Sequence, residues 1–324
     1  ILSAVLLVAA CGTEPPETVQ EVADTSAAPI HLIASFPAVG SSSRTARIIA
    51  PKLEEYFQRP IKIIYNEGGR GGDIGARMAA AAAPDQLTLF VGTVGNVSLL
   101  PNVLSDYDLD PLEDFRPVTQ LTVTPDVLIA HAGLGIESLD DLVAYAAEAE
   151  NSLSYSHIAP LSIHRMEFLQ IFDDLEIEGQ NDESIRGSAA AMEAVGSGAV
   201  DLAMTTAPYV APLVEEGVAI PLVVANESRL AAFPDVPTMA EAGIAIPHGS
   251  WAGALVPAAT SDEDVEDMFR ALEGVLADPD VVAQIAELGM IPAPSSSPES
   301  FSAYIAQETA RLGAVARKFN VVEN

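Results

Sequence analysis

The stretch HLIASFPAVGSSSRTARIIA, His31 to Ala50, decides how this chain reads. Leu32 to Phe36 is a short apolar run that predicts a buried strand. Pro37, Gly40 and three serines predict a loop, and Ala46, Ile48 and Ile49 open a helical pattern that runs on through Leu53 and Tyr56. A loop of small residues between strand and helix leaves backbone N–H groups unpaired, and the helix dipole adds partial positive charge there. Such a place holds a small anion without a basic side chain. One such loop is also an ordinary βα turn; the anion reading gains weight because similar loops recur.

Ile61 to Tyr65 is a second strand, followed by Asn66 and a glycine-rich run through Gly75. Gly69-x-Gly71 with Gly75 has the wrong spacing for a dinucleotide fingerprint, and no acidic residue ends a following strand. Leu87 to Val91 is a third strand, and Gly92 to Ser98 is its loop. Pro117 to His131 is a β-prone run long enough to pass between domains. Further strands are expected at Leu153 to Ser156, Leu175 to Gly179, Val200 to Thr205 and Ile220 to Ala225. Ser138-Leu139-Asp140-Asp141 predicts a capped helix, and Thr238 precedes a short one. Ser250 to Val256 is a strand that returns the chain, followed by three amphipathic helices ending at Phe319. This alternation predicts an α/β fold with largely parallel sheets, whose ligands sit beyond the carboxyl ends of the strands.

At 324 residues the chain predicts two domains. Its net charge of −31, with 46 acidic against 15 basic residues, argues against nucleic acid or anionic lipid as partners. The acidity suits a salty habitat or plain solubility. An anionic ligand must be captured locally, against the protein's own field. Val8-Ala9-Ala10-Cys11-Gly12 resembles a bacterial lipobox behind a short apolar run, so residues 1–11 are expected to be an export signal with lipidation at Cys11. The other reading, a secretory signal with an incidental cysteine, also implies export. Residues 12–30, rich in Pro, Thr, Glu and Ala, read as a flexible tether.

Catalytic sets are absent from the pattern. No G-x-S-x-G elbow or P-loop occurs, and the five histidines show no paired metal spacing, so neither metal nor cofactor is expected. The chain reads as a binder rather than an enzyme.

Several stretches then align with one known family: Phe36-Pro37 with Gly40 and Ala46-Arg47; Asn66, Gly69, Gly71-Gly72 and Ile74-Gly75-Ala76; Pro84-Asp85; Gly92-Thr93 with Gly95; Asp114-Phe115 with Pro117-Val118-Thr119; Gly187-Ser188-Ala189; Pro234-Asp235-Val236-Pro237-Thr238 with Glu241-Ala242-Gly243; and Ser250-Trp251 with Gly253 and Pro257. In this order the chain resembles the periplasmic solute-binding proteins of tripartite tricarboxylate transporters, the Bug family. The resemblance implies a two-lobe periplasmic-binding-protein clamshell, each lobe a mostly parallel sheet flanked by helices. The first lobe would be 31–124 plus 252–324, the second 125–251. It also implies a monomer that closes on a small organic carboxylate, a di- or tricarboxylate or an aromatic acid, and docks on membrane permease subunits.

Carried over by position, Phe36, Pro37, Ala38, Gly40, Ser42, Ser43 and Arg44 would form the first jaw, with Gly72, Asp73, Thr93 and Asn96 beside it. Ser156, Ser162 and His164 would come from one loop of the second lobe, and Thr205, Thr206 and Pro208 from another. The sequence departs from the family where Val39, Ser41 and Ser43 replace glycines and an aspartate, where His157 to Ser162 is shortened, and where Ile185 replaces a tyrosine. Arg44 is either a carboxylate clamp or a surface residue. Two other functions stay open at this level: an exported sensor of organic anions, and a hydrolase using Ser162 or Ser250.

Overall fold

Short β-branched runs separated by amphipathic stretches produce a regular alternation of strand and helix. A computed structural model describes residues 28–322 except 39, 67–68, 84–85, 149–152, 158 and 247–248. Cys11, the export segment and most of the tether lie outside the described residues, as do Val39, Pro84, Asp85 and His248.

The chain begins with β1 (Ile30–Ala34), α1 (Ser41–Phe57), β2 (Ile61–Tyr65), α2 (Asp73–Ala80) and β3 (Thr88–Thr93). A π-helix over Val94–Leu99 runs into α3 (Leu100–Val103), and β4 (Phe115–Thr124) follows. After Pro125 come β5 (Asp126–His131), α4 (Leu139–Ala147), β6 (Leu153–Ser156), α5 (Ile163–Asp174) and β7 (Gly179–Asn181). Then α6 (Ser188–Ser197), β8 (Leu202–Thr206), α7 (Ala207–Glu215) and β9 (Ala219–Ala225) complete that half. The chain returns through β10 (Ser250–Pro257), α8 (Asp262–Ala277), α9 (Pro279–Glu287), β11 (Ile291–Pro292) and α10 (Pro298–Lys318).

Six strands form one sheet in the order β11-β4-β10-β3-β1-β2, and five form the other in the order β7-β6-β8-β5-β9. Helices cover both faces of each. On the first sheet, Leu53 of α1 and Leu272 of α8 share one core, while Phe90, Phe301 and Leu312 build the other with α10. On the second, Phe168 and Ile171 of α5 pack on one face and Val195 and Val210 on the other. Ile163 and Met166, at the start of α5, join the core of the first sheet, so this helix ties the lobes together. The α/β clamshell is therefore as expected, but the sheets are mixed. β1 pairs parallel with β2 and β3, and β6 with β7 and β8. The long strands that cross between lobes enter the other way: β10 lies antiparallel to β3 and β4, and β5 to β8 and β9. Ser250 and Trp251 pair with Thr124 and Val123, placing them in the first sheet.

Other expectations shift. β1 begins two residues earlier than the apolar run, and the three serines form the first turn of α1 instead of its preceding loop. Val94 to Leu99 coils into a π-helix, held at its start by a reciprocal pair of bonds between Thr93 and Asn96. The strand expected at Leu175 forms later, at Gly179, because Leu175 ends α5 and Glu176 takes a left-handed conformation (φ 54°). After Thr238 the backbone makes turns where a helix was expected.

Candidate functional site

Two chambers, of about 420 and 430 Å³, open between the lobes and share Ser41, Thr124, His164 and Ser250 in their walls. They are the two ends of one crevice. It lies where loops at strand ends meet, as open α/β sheets arrange their ligand sites.

The first chamber is mainly apolar. Phe36, Val94, Leu161, Ile163 and Trp251 line it, and Thr93, Thr122 and Thr124 supply hydroxyls. Trp251 is fixed edge-on against Phe301 and Tyr304, with ring centroids 5.8 and 5.7 Å away. Arg70 reaches this wall, but its guanidinium grips both carboxylate oxygens of Asp106 at 2.7 Å.

The second chamber is the more polar of the two. Gly40 and Ser41 at the start of α1 face Ser188 at the start of α6, with Thr205, Thr206 and Pro208 beside them. Neither α1, α6 nor α7 has a side chain capping its N-terminus. Uncapped first-turn N–H groups and the helix dipole make such ends receptive to anions. α7 contributes least, because Ala207 N–H already bonds Pro125 O at 2.9 Å and Pro208 has no N–H. Thr205 Oγ1 donates to Ser188 Oγ at 2.8 Å, tying β8 to α6 under the chamber. Arg44, exposed on the first turns of α1, lines the same space and makes no ion pair among the described residues.

The crevice thus gathers Phe36, Gly40, Arg44, Thr93, Ser162, His164, Thr205, Thr206 and Pro208 of the expected set. Most of the rest lie behind the walls. Ser42 and Ser43 are buried, and Ser43 Oγ donates to Phe36 O at 2.9 Å. Asp73 accepts Arg70 N–H at 2.8 Å, closing the glycine loop ahead of α2. Gly72 sits at φ 89°, and a Cβ there would come within 2.7 Å of Asn96 Nδ2. Asn96 itself accepts Thr93 N–H at 2.9 Å. Ser156 is fully buried, while Pro37 and Ala38 lie outside both chambers. Ser41, Thr124 and Ser188 were missed, although Gly187-Ser188 and Ser41 sit at the helix starts that the loop argument names.

Sequence reading also passed over a buried cluster at the waist of the crevice. Asp126, His164 and Glu167 each place a donor atom within 4.8 Å of the others. His164-x-x-Glu167 puts two of them on one face of α5, but Asp126 comes from β5, far away in sequence. His164 Nε2 lies 3.2 Å from Asp126 Oδ1, without hydrogen-bond alignment. Burial, and then repulsion from Asp126, pushes the Glu167 carboxyl well above the usual range.

The hydrolase alternative fails on geometry. Ser162 Oγ donates to the carbonyls of His157 and Ala159 at 2.7 Å and caps α5. Ser250 Oγ and His164 both face Asp126, at 3.4 and 3.2 Å, so the aspartate sits between serine and histidine. A nucleophile needs the base in that position.

Known proteins resemble this chain in sequence and fold. BugT of Bordetella pertussis is 28% identical over 306 residues, 91% of each chain. A Rhodopseudomonas palustris protein solved with adipate is 27% identical at a TM-score of 0.74, covering 89% of this chain and 96% of its own. MatC of the same species, solved with malate, is 26% identical at a TM-score of 0.71, covering 89% and 98%. The family model for the tripartite tricarboxylate transporter family receptor matches residues 45–321. The chain therefore belongs to that receptor family, a family of solute-binding proteins and not of enzymes.

Proposed function

We propose that this chain is an extracytoplasmic receptor, anchored at a bacterial membrane by lipid on Cys11, that captures a small organic acid and presents it to the permease subunits of a tripartite transporter. The observation that carries the reading is the second chamber, where uncapped helix starts from both lobes and Arg44 face one space. A carboxylate fits there, and the apolar chamber next door takes the carbon body. That division favours an acid with an aliphatic or aromatic body over a compact tricarboxylate. The adipate-bound and malate-bound relatives support the class of ligand. Closure would swing the lobes about the two chain crossings at Pro125 and Gly249.

A thermal-shift panel of organic acids tests it. A ligand at a hundred times its Kd stabilises the fold by about 2.7 kcal/mol, which a melting curve resolves. Aliphatic dicarboxylates and aromatic acids are expected to raise Tm. If no carboxylate does so, with or without added divalent metal, while a neutral sugar or an amine does, the reading is wrong.

A further inference from the structure

Behind His164, which lines both chambers, two buried carboxyls complete a cluster that the proposed carboxylate site does not use. Asp126 is fully buried, Glu167 likewise, and His164 is 6% exposed. Asp126 Oδ1, both ring nitrogens of His164 and both carboxylate oxygens of Glu167 lack hydrogen-bond partners. Five buried polar atoms without a hydrogen bond in one spot, two of them only 3.2 Å apart as His164 Nε2 and Asp126 Oδ1, are costly, and native proteins rarely leave them so. Arg311, the cation that faces Glu167, is already held by both oxygens of Glu308 at 2.7 and 3.1 Å, with Gln170 at 3.0 Å.

We propose that Asp126, His164 and Glu167 form a binding site for a divalent first-row transition metal ion, zinc or manganese in type, buried beside the crevice that His164 lines. Donors to one ion at about 2.0–2.2 Å can be at most about 4.4 Å apart, so donors already within 4.8 Å need only small side-chain movements. An imidazole nitrogen with two carboxylates suits zinc-like ions, whereas calcium and magnesium prefer oxygen alone. A bound dication offsets the charge of the carboxylates that coordinate it. Because His164 lines both chambers, an open coordination position would face the crevice, where a carboxylate oxygen of the guest can complete the shell. This last step rests on the receptor reading; the metal site itself does not.

The test uses the chain stripped with a chelator and titrated with zinc alone by calorimetry, with cobalt as an absorption probe of imidazole ligation. One equivalent per chain is expected. Changes to groups that merely orient metal ligands cost about 10–100-fold in affinity, so His164→Gln and Glu167→Gln are each expected to weaken zinc binding at least about a hundredfold. Melting of the metal-free variants checks folding; Glu167→Gln removes a buried carboxylate and is expected to melt no lower than the parent. Zinc binding that is substoichiometric, or unchanged in both variants, overturns the proposal, because scattered surface carboxylates would behave that way. Zinc binding without any response to acids would sink the receptor reading alone. A response to acids that survives chelation, with no zinc bound, would sink the metal site alone.

Discussion

The two chambers of the crevice are nearly equal in volume and built by opposite means. The apolar one is walled by large side chains anchored in the core, Trp251 above all. The more polar one is walled mainly by helix starts, small hydroxyls and one arginine, together with Tyr209, Leu288 and Met290. The difference teaches where each kind of information resides. Shape and hydrophobicity come from residues that also hold the fold together. The charge recognition proposed here would come from groups that the fold leaves over at helix ends, so it could change without threatening stability.

Substitutions separate the two. The largest effect is expected from Trp251→Ala, which empties space between the apolar chamber and Phe301 and should cost about 3–5 kcal/mol of folding stability. A denaturant titration reads it; a loss below about 1 kcal/mol would mean that the chamber wall is not part of the core. Arg44→Ala comes next and should behave oppositely. Loss of a charge-assisted hydrogen bond of about 1.5–3 kcal/mol weakens acid binding roughly 10–100-fold. Stability should change by less than about 0.5 kcal/mol, since Arg44 is exposed. Equal affinity in calorimetry would remove Arg44 from the site. Smaller still, lengthening an aliphatic acid by one methylene should gain about 0.8 kcal/mol until the apolar chamber is full. A series with no such trend would place the carbon body elsewhere.

The smallest effect is one of pH. His157 is buried, and burial, then the charge of Arg165, holds its pKa below the ordinary 6.5; Glu183, 4.0 Å away, opposes this. Between 6.5 and the lower folded value the unfolded chain binds more protons than the folded one. Stability should therefore fall as pH drops through 6.5 and level off below the folded pKa. Melting curves of the parent and of His157→Asn across this range should diverge, with the flatter profile in the variant.

Much of the fold was legible because strand and helix periods differ and the alternation is regular. The long run from Pro117 to His131 was readable as a crossing, and Pro125 indeed divides it into strands of different sheets. The β1–α1 boundary was harder. Serine suits both loops and first turns, so Ser41 to Ser43 could not show that the helix starts at once. That shift turned Ser42 and Ser43 inward and brought Ser41 to the crevice. The π-helix after β3 was hidden by Gly95 and Asn96, which resemble loop residues until Asn96 Oδ1 is seen to accept the N–H of the capping Thr93. Antiparallel entry of β5 and β10 was invisible because no local signal states a strand's direction. The waist cluster escaped for a similar reason: its members meet only through tertiary structure.

The crossings themselves carry a mechanical consequence. Asp126 Oδ2 accepts Ser250 N–H at 3.0 Å, stapling the outgoing connection to the returning one. They run so close that a Cβ on Gly249 would fall 2.5 Å from Asp126 N. Two connecting strands riveted together act as a single gatepost. In the closure proposed above the halves would turn on it, while sideways sliding would tear the rivet, so the starts of α1 and α6 would travel along one arc and meet in the same alignment at every swing.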